Sequence, residues 1–256
     1  MVTLQYAGRT FNCLFQYAFA RLFAEANNLR LGAEWKYEDF LPLCKPPSGG
    51  NEGIISLTLR NMPPGMMYDP DWLIPRGYFM DKRVLIRGYF QYPHFYQKNK
   101  DKILSWFSFP SITGEHKDHI VAHFRLDDYI KCNKQPVINP VWYYNIIKQN
   151  EDLQGKELYG VVQRPKVIWE NEYLRKVKIL LPNIKIIYRD DPKDDWNFIR
   201  QFGTVLCSNS SFCWWAAFTG AAKKVYCFHP WWPDVNSTTL SDTDGWIKTS
   251  GSYYWS

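Results

Sequence analysis

The chain has 256 residues, 46% of them apolar and 22% charged, the composition of a folded protein with a sizeable core rather than of a disordered or fibrous one. Its net charge of +6 suits an anionic ligand, but Lys and Arg are scattered and never form a block, so nucleic acid is not an expected partner. No apolar stretch approaches the roughly 18 to 20 residues that span a bilayer and no leader pattern opens the chain, so it is expected to be soluble and cytoplasmic, without membrane insertion.

In chain order, residues 1–8 read as a strand entering a Gly-Arg-Thr turn, and residues 11–27 as a helix with Leu14, Phe15, Ala18, Leu22 and Phe23 at helical spacing. Residues 35–80 are rich in Pro, Gly and Asn and predict loops, short strands and turns that shape an acceptor pocket. VLIRGYFQY then predicts a strand and FYQKNKDKILSWF a helix, with a lobe boundary near Gly114. From HIVAHFRL onward strands and helices alternate through VWYYNIIKQN, ELYGVVQ, IWENEYLRKVKILL, IKIIYR, DDPKDDWNFIRQF, TVLCSNS and FCWWAAFTG. Such alternation predicts an α/β fold with a doubly wound parallel sheet, whose ligands lie beyond the carboxyl ends of the strands. The organisation expected is an N-terminal lobe of residues 1–114, a Rossmann-like lobe of residues 115–232, and a tail, 233–256, that either packs back on the first lobe or is partly disordered.

The polar motifs fall at those strand ends. HFRLDDY sets His123, Arg125 and Asp128 at the end of one strand, and an arginine there can grip a phosphate with two parallel hydrogen bonds. SNSSFCWW places Asn209, Ser210 and Ser211 at a strand-to-helix turn, where free amides and the helix dipole favour an anion. Gly8 and Asn12 occupy the turn into the first helix, a weaker phosphate motif because it has only one glycine. DDPKDDW offers Asp195 as a carboxylate able to accept from the edge of guanine. Each motif alone also has a structural explanation, an ion pair or a helix cap. Six cysteines without a C-x-x-C pair fit a reducing compartment, and no metal site is read here, so no cofactor is expected and an arginine takes over a metal's electrostatic role.

Four of these segments in this order resemble the α-1,2-fucosyltransferases of glycosyltransferase family 11, and more loosely the α-1,6- and protein O-fucosyltransferases: GRTFNCLFQYAFARLFAEANNL, RGYFQYPHFY, HFRLDDY and SNSSFCWWAAF. The resemblance implies two Rossmann-like lobes facing across a cleft, the GT-B arrangement, and metal-independent, inverting transfer of L-fucose from GDP-fucose to a hydroxyl of a glycan acceptor. It also implies that Arg125 holds the β-phosphate, that His123 and Asp195 face guanine, that Asn209, Ser210 and Ser211 line the phosphate site, and that Gly8 and Asn12 approach the diphosphate. Arg125 and Asp128 are the expected catalytic residues, Asp128 either as base or as a group that orients Arg125. The chain departs from the family pattern at Leu126, where a second arginine is usual, in FNC, and in VVQRPK. These departures leave room for another donor such as GDP-rhamnose, and a silent glycan-binding module is the reading from a different class.

Overall fold

The computed structural model describes residues 1–47, 49–50, 55–59, 82–126, 129, 137–232 and 240–254. It is a mixed α/β protein that divides into two compact units, Met1–Phe109 and Pro110–Ser256. Among the described residues no helix is long and apolar enough to cross a membrane.

In the first unit, β1 (Val2–Gln5) and β2 (Ile55–Leu59) both run parallel to a central β3 (Lys82–Arg87). Helix α1 (Thr10–Ala26) is buried on almost every side because it is aromatic nearly all round: Phe19 stacks on Phe90 at 4.1 Å, and Phe15 meets Tyr96 edge-on at 4.9 Å. The one arginine inside this packing, Arg21, is offset by the Glu25 carboxylate and the carbonyls of Lys45 and Pro46, with its guanidinium over Trp106. The single helix expected after β3 is two, α2 (Pro93–Lys98) and α3 (Lys100–Leu104). Asn99 separates them, its side-chain amide donating to the Phe95 carbonyl at 2.9 Å and competing with the backbone ladder.

The second unit alternates as expected through β4 (Ile120–Phe124), α4 (Pro140–Gln149), β5 (Leu158–Val162), α5 (Ile168–Leu180), β6 (Lys185–Ile187), α6 (Pro192–Ile199), β7 (Thr204–Cys207) and α7 (Ser211–Thr219). Two further strands, β8 (Lys224–His229) and β9 (Ile247–Ser250), complete a six-stranded sheet of order β6-β5-β4-β7-β8-β9, parallel throughout. β4 is buried at all five residues, as its unbroken apolar run demands of a central parallel strand. α4 packs with α5, and α6 with α7. Right-handed crossovers put the first pair on one face of the sheet and the second on the other, because the chain leaves β6 at one edge and returns to β7 beside β4. β7 enters the sheet so close to the loop before β4 that a Cβ at Gly203 would stand 1.8 Å from the Lys117 carbonyl oxygen, which only glycine avoids.

The described part of the tail, residues 240–254, belongs to the second unit. β9 pairs with β8 along Tyr226 to His229, and the Trp142 indole donates to the Thr249 carbonyl at 3.1 Å. The physical reason is that β8, with β7 on one side only, would otherwise leave its other ladder unpaired.

Candidate functional site

The strand order places one point of special geometry in the second unit. Going outward from β4 the chain winds one way through β5 and β6, and from β7 the other way through β8 and β9. At such a reversal the loops beyond two adjacent strands part, and a crevice opens at their carboxyl ends. The residues that follow β4 and β7 are those of HFRLDDY and SNSSFCWW.

His123 is the penultimate residue of β4 and is 6% exposed. Its Nδ1 lies 2.6 Å from the Ser208 hydroxyl across the β4–β7 boundary, its ring stacks on Phe212, and its carbonyl accepts from Tyr143. Burial, with the Arg125 charge adding to it, pushes the imidazole from 6.5 down to about 3, so it is neutral at physiological pH. Arg125 leaves the end of β4 half-buried, with its guanidinium 5.3 Å from the centre of the Tyr129 ring.

After β7, Ser208, Asn209 and Ser210 are buried, and Ser211 and Phe212 half-buried. The Asn209 carbonyl accepts the Tyr129 hydroxyl at 2.5 Å, and its amide reaches toward the Trp231 carbonyl at 3.4 Å. Ser210 is the N-cap of α7 but makes no side-chain capping bond. The other helices of this unit are closed by side chains: Asn139 caps α4, Asp191 caps α6, and Glu170 accepts from the amides of Lys166 and Val167 ahead of α5. The first-turn amides of α7, which every helix leaves without intrahelical partners, therefore have no serine cap at the crevice.

Asp195 sits apart, in the first turn of α6. Its Oδ1 is buried without a hydrogen-bond partner and stands 3.6 Å from Arg189, which in turn lies over Phe198. Burial, outweighing the Arg189 attraction and reinforced by Asp194 and Asp191, raises its carboxyl from 3.8 to about 6.

These two shifted groups have opposite consequences for stability. Between pH 4.5 and 5.5 the unfolded chain carries a proton on His123 that the folded chain lacks, while the folded chain carries one on Asp195 that the unfolded chain lacks. Each slope is about 1.4 kcal/mol per pH unit, and they cancel. Asp195→Asn is therefore expected to make stability fall more steeply than in the wild type on acidification through this window, and His123→Gln to make it fall less or rise. Urea midpoints at pH 4.5 and 5.5 check both, and unchanged slopes would show that neither group is held as described.

In the first unit, Gly8 has φ +83, and a Cβ there would meet the Asn12 amide at 2.5 Å, so the turn after β1 requires glycine. Asn12 accepts from Gln91 at 2.9 Å. Gln16, which the sequence motifs do not single out, pins the turn by donating to and accepting from the backbone of Ala7. Its signal is a polar residue within the apolar run from Leu14 to Ala20.

The structure thus brings His123, Arg125, Ser208, Asn209 and Ser210 together at the carboxyl ends of β4 and β7, places Asp195 in a separate acid–arginine pair, and puts Gly8 and Asn12 in the other unit. Asp128 lies outside the described residues. Tyr129 and Tyr143 are the supports that sequence reasoning missed. Asp-x-Asp triplets, which can carry a metal-bound nucleotide sugar, do occur at 69–71 and 242–244; the first lies outside the described residues, and in the second Asp242 accepts Lys248 at 2.8 Å. Among the described residues no group of three or more His, Cys, Asp or Glu side chains is placed to hold a metal. No protein-family model matches the chain, and no curated protein matches it in sequence.

Proposed function

We propose that the chain is an inverting glycosyltransferase that moves L-fucose from GDP-fucose to a hydroxyl of a glycan acceptor, with the second unit as the nucleotide-binding lobe of a GT-B arrangement. The observation that carries this reading is the placing, at the sheet's reversal point, of Arg125 beyond β4 and of the amino end of α7, which the Ser210 side chain does not cap, beyond β7. A cation and a helix terminus on adjacent strands suit the two phosphates of a nucleoside diphosphate.

In this reading the bond from the sugar's anomeric carbon to the β-phosphate oxygen breaks as an acceptor hydroxyl attacks from the opposite face. Arg125 and the α7 amides stabilise the negative charge that grows on the departing diphosphate. The acceptor's proton passes to a base, for which Asp128 is the candidate. His123, neutral and bonded to Ser208, holds the crevice wall, and Asp195 reads the base edge while Arg189 keeps it oriented.

One observation favours a second donor. Leu126, where the resembling family carries an arginine, is 3% exposed and packed in the core with Phe124 and Tyr143, so the contact that arginine would make to the donor has no substitute at this position. GDP-rhamnose is the alternative sugar donor.

A thermal-shift panel tests the reading. GDP is expected to raise the melting temperature, with GDP-fucose or GDP-rhamnose the donor hydrolysed or transferred. By linkage, ligand at a hundred times its Kd adds about 2.7 kcal/mol of apparent stability. A panel in which no nucleoside diphosphate shifts the transition overturns the proposal.

A further inference from the structure

We infer that Tyr129 is a positioning residue that sets the Arg125 guanidinium against the amino end of α7; the inference rests on the nucleoside-diphosphate reading of this crevice.

Tyr129 is 6% exposed, and its two functional parts face two different loops. Its ring lies under Arg125, and its hydroxyl donates to the Asn209 carbonyl one residue before the α7 N-cap. Its own amide donates to the Leu126 carbonyl at 2.9 Å, which ties Tyr129 back to the residue that follows Arg125. Asn209 is fixed from its other side by the Trp231 carbonyl, at 3.4 Å, and Trp231 follows the next strand, β8. One connected brace therefore joins the segments beyond β4, β7 and β8.

The need for it follows from the chemistry. The segments beyond β4 and β7 are separated by about eighty residues of chain, and the pairing of the two strands ends at Ala122 and Leu206, before either phosphate-binding group is reached. A long arginine side chain loses considerable freedom on being held in one place, and an aromatic face bearing a fixed hydroxyl removes that freedom before ligand arrives. Two phosphates bridged by one oxygen are gripped together only if guanidinium and helix end keep a fixed separation. A nucleoside without phosphates is indifferent to that separation.

The test compares GDP with guanosine by calorimetry on the wild type and Tyr129→Phe, which keeps the ring and removes only the hydroxyl anchor. GDP affinity is expected to drop about fivefold and guanosine affinity to stay unchanged. Tyr129→Leu, which removes the ring as well, is expected to weaken GDP binding about thirtyfold, again sparing guanosine; should it fail to fold, Tyr129→Phe alone decides. Equal losses for GDP and guanosine, or no loss of GDP affinity, overturn the inference and leave the nucleotide reading standing. A wild type that binds neither overturns the nucleotide reading itself.

Discussion

Arg125→Ala is expected to lower kcat/KM for transfer by about a hundredfold to a thousandfold, or roughly 2.7 to 4 kcal/mol of transition-state stabilisation, while the melting temperature stays within a degree or two. Under the proposed function, the size would come from the charge developing on a leaving diphosphate beside the buried His123, Ser208 and Asn209. The sparing of stability comes from position. Arg125 lies just beyond the last paired residue of β4, half-buried, and its aromatic partner Tyr129 keeps its own bond to Asn209 when the guanidinium is removed. Arg125→Lys should recover only part of the rate, because an ammonium cannot give the two parallel bonds of a guanidinium. Steady-state kinetics with GDP-fucose, beside a melting curve of each variant, checks the pair. Turnover like that of the wild type in Arg125→Ala removes Arg125 from the chemistry.

Trp214→Ala is expected to be the most damaging single change to the second unit, lowering its unfolding free energy by about 3 to 5 kcal/mol. Trp214 is wholly buried, stacks on Phe218 at 4.7 Å, meets Trp215 edge-on, and donates its indole N–H to the Thr243 hydroxyl at 2.8 Å. The cavity would lie in α7 itself, whose residues from Cys213 to Thr219 are all buried and leave no exposed face to collapse inward. A domain's total stability is typically only about 5 to 15 kcal/mol, so the loss takes a large part of it. Trp214→Phe retains a ring for Phe218 but removes the donor that the Thr243 hydroxyl accepts, and should cost about 1 to 2 kcal/mol. Urea denaturation followed by fluorescence gives both values; a shift below about 1 kcal/mol for the alanine variant would mean that α7 is not packed as described.

Much of the second unit is legible in the amino-acid sequence because periodicity and strand-end chemistry are local. The run HIVAHF has too few polar residues for anything but a central parallel strand, and β4 is that strand. Asn99 shows how a local signal can also be missed: its side chain divides an expected helix by a hydrogen bond four residues back, and the period of the flanking apolar residues hides it. β8 also escapes notice, although KVYCFH is longer than any of the strands β4 to β7, because it follows α7 after only a short turn.

The sequence by itself determined the alternating strands and helices from β4 to α7, and that His123, Arg125 and the serines stand at strand ends, because these follow from periods of two and 3.6 and from turn residues within a few positions of each motif. Only the tertiary structure decided that β7 lies beside β4, that the tail supplies a sixth strand, and that Tyr129 and Asn209, eighty residues apart, meet beneath Arg125. Strand order and side-chain pairing are set by which buried surfaces fit and which edges would otherwise stay unpaired, and that free energy belongs to the whole packed unit rather than to any window of the chain.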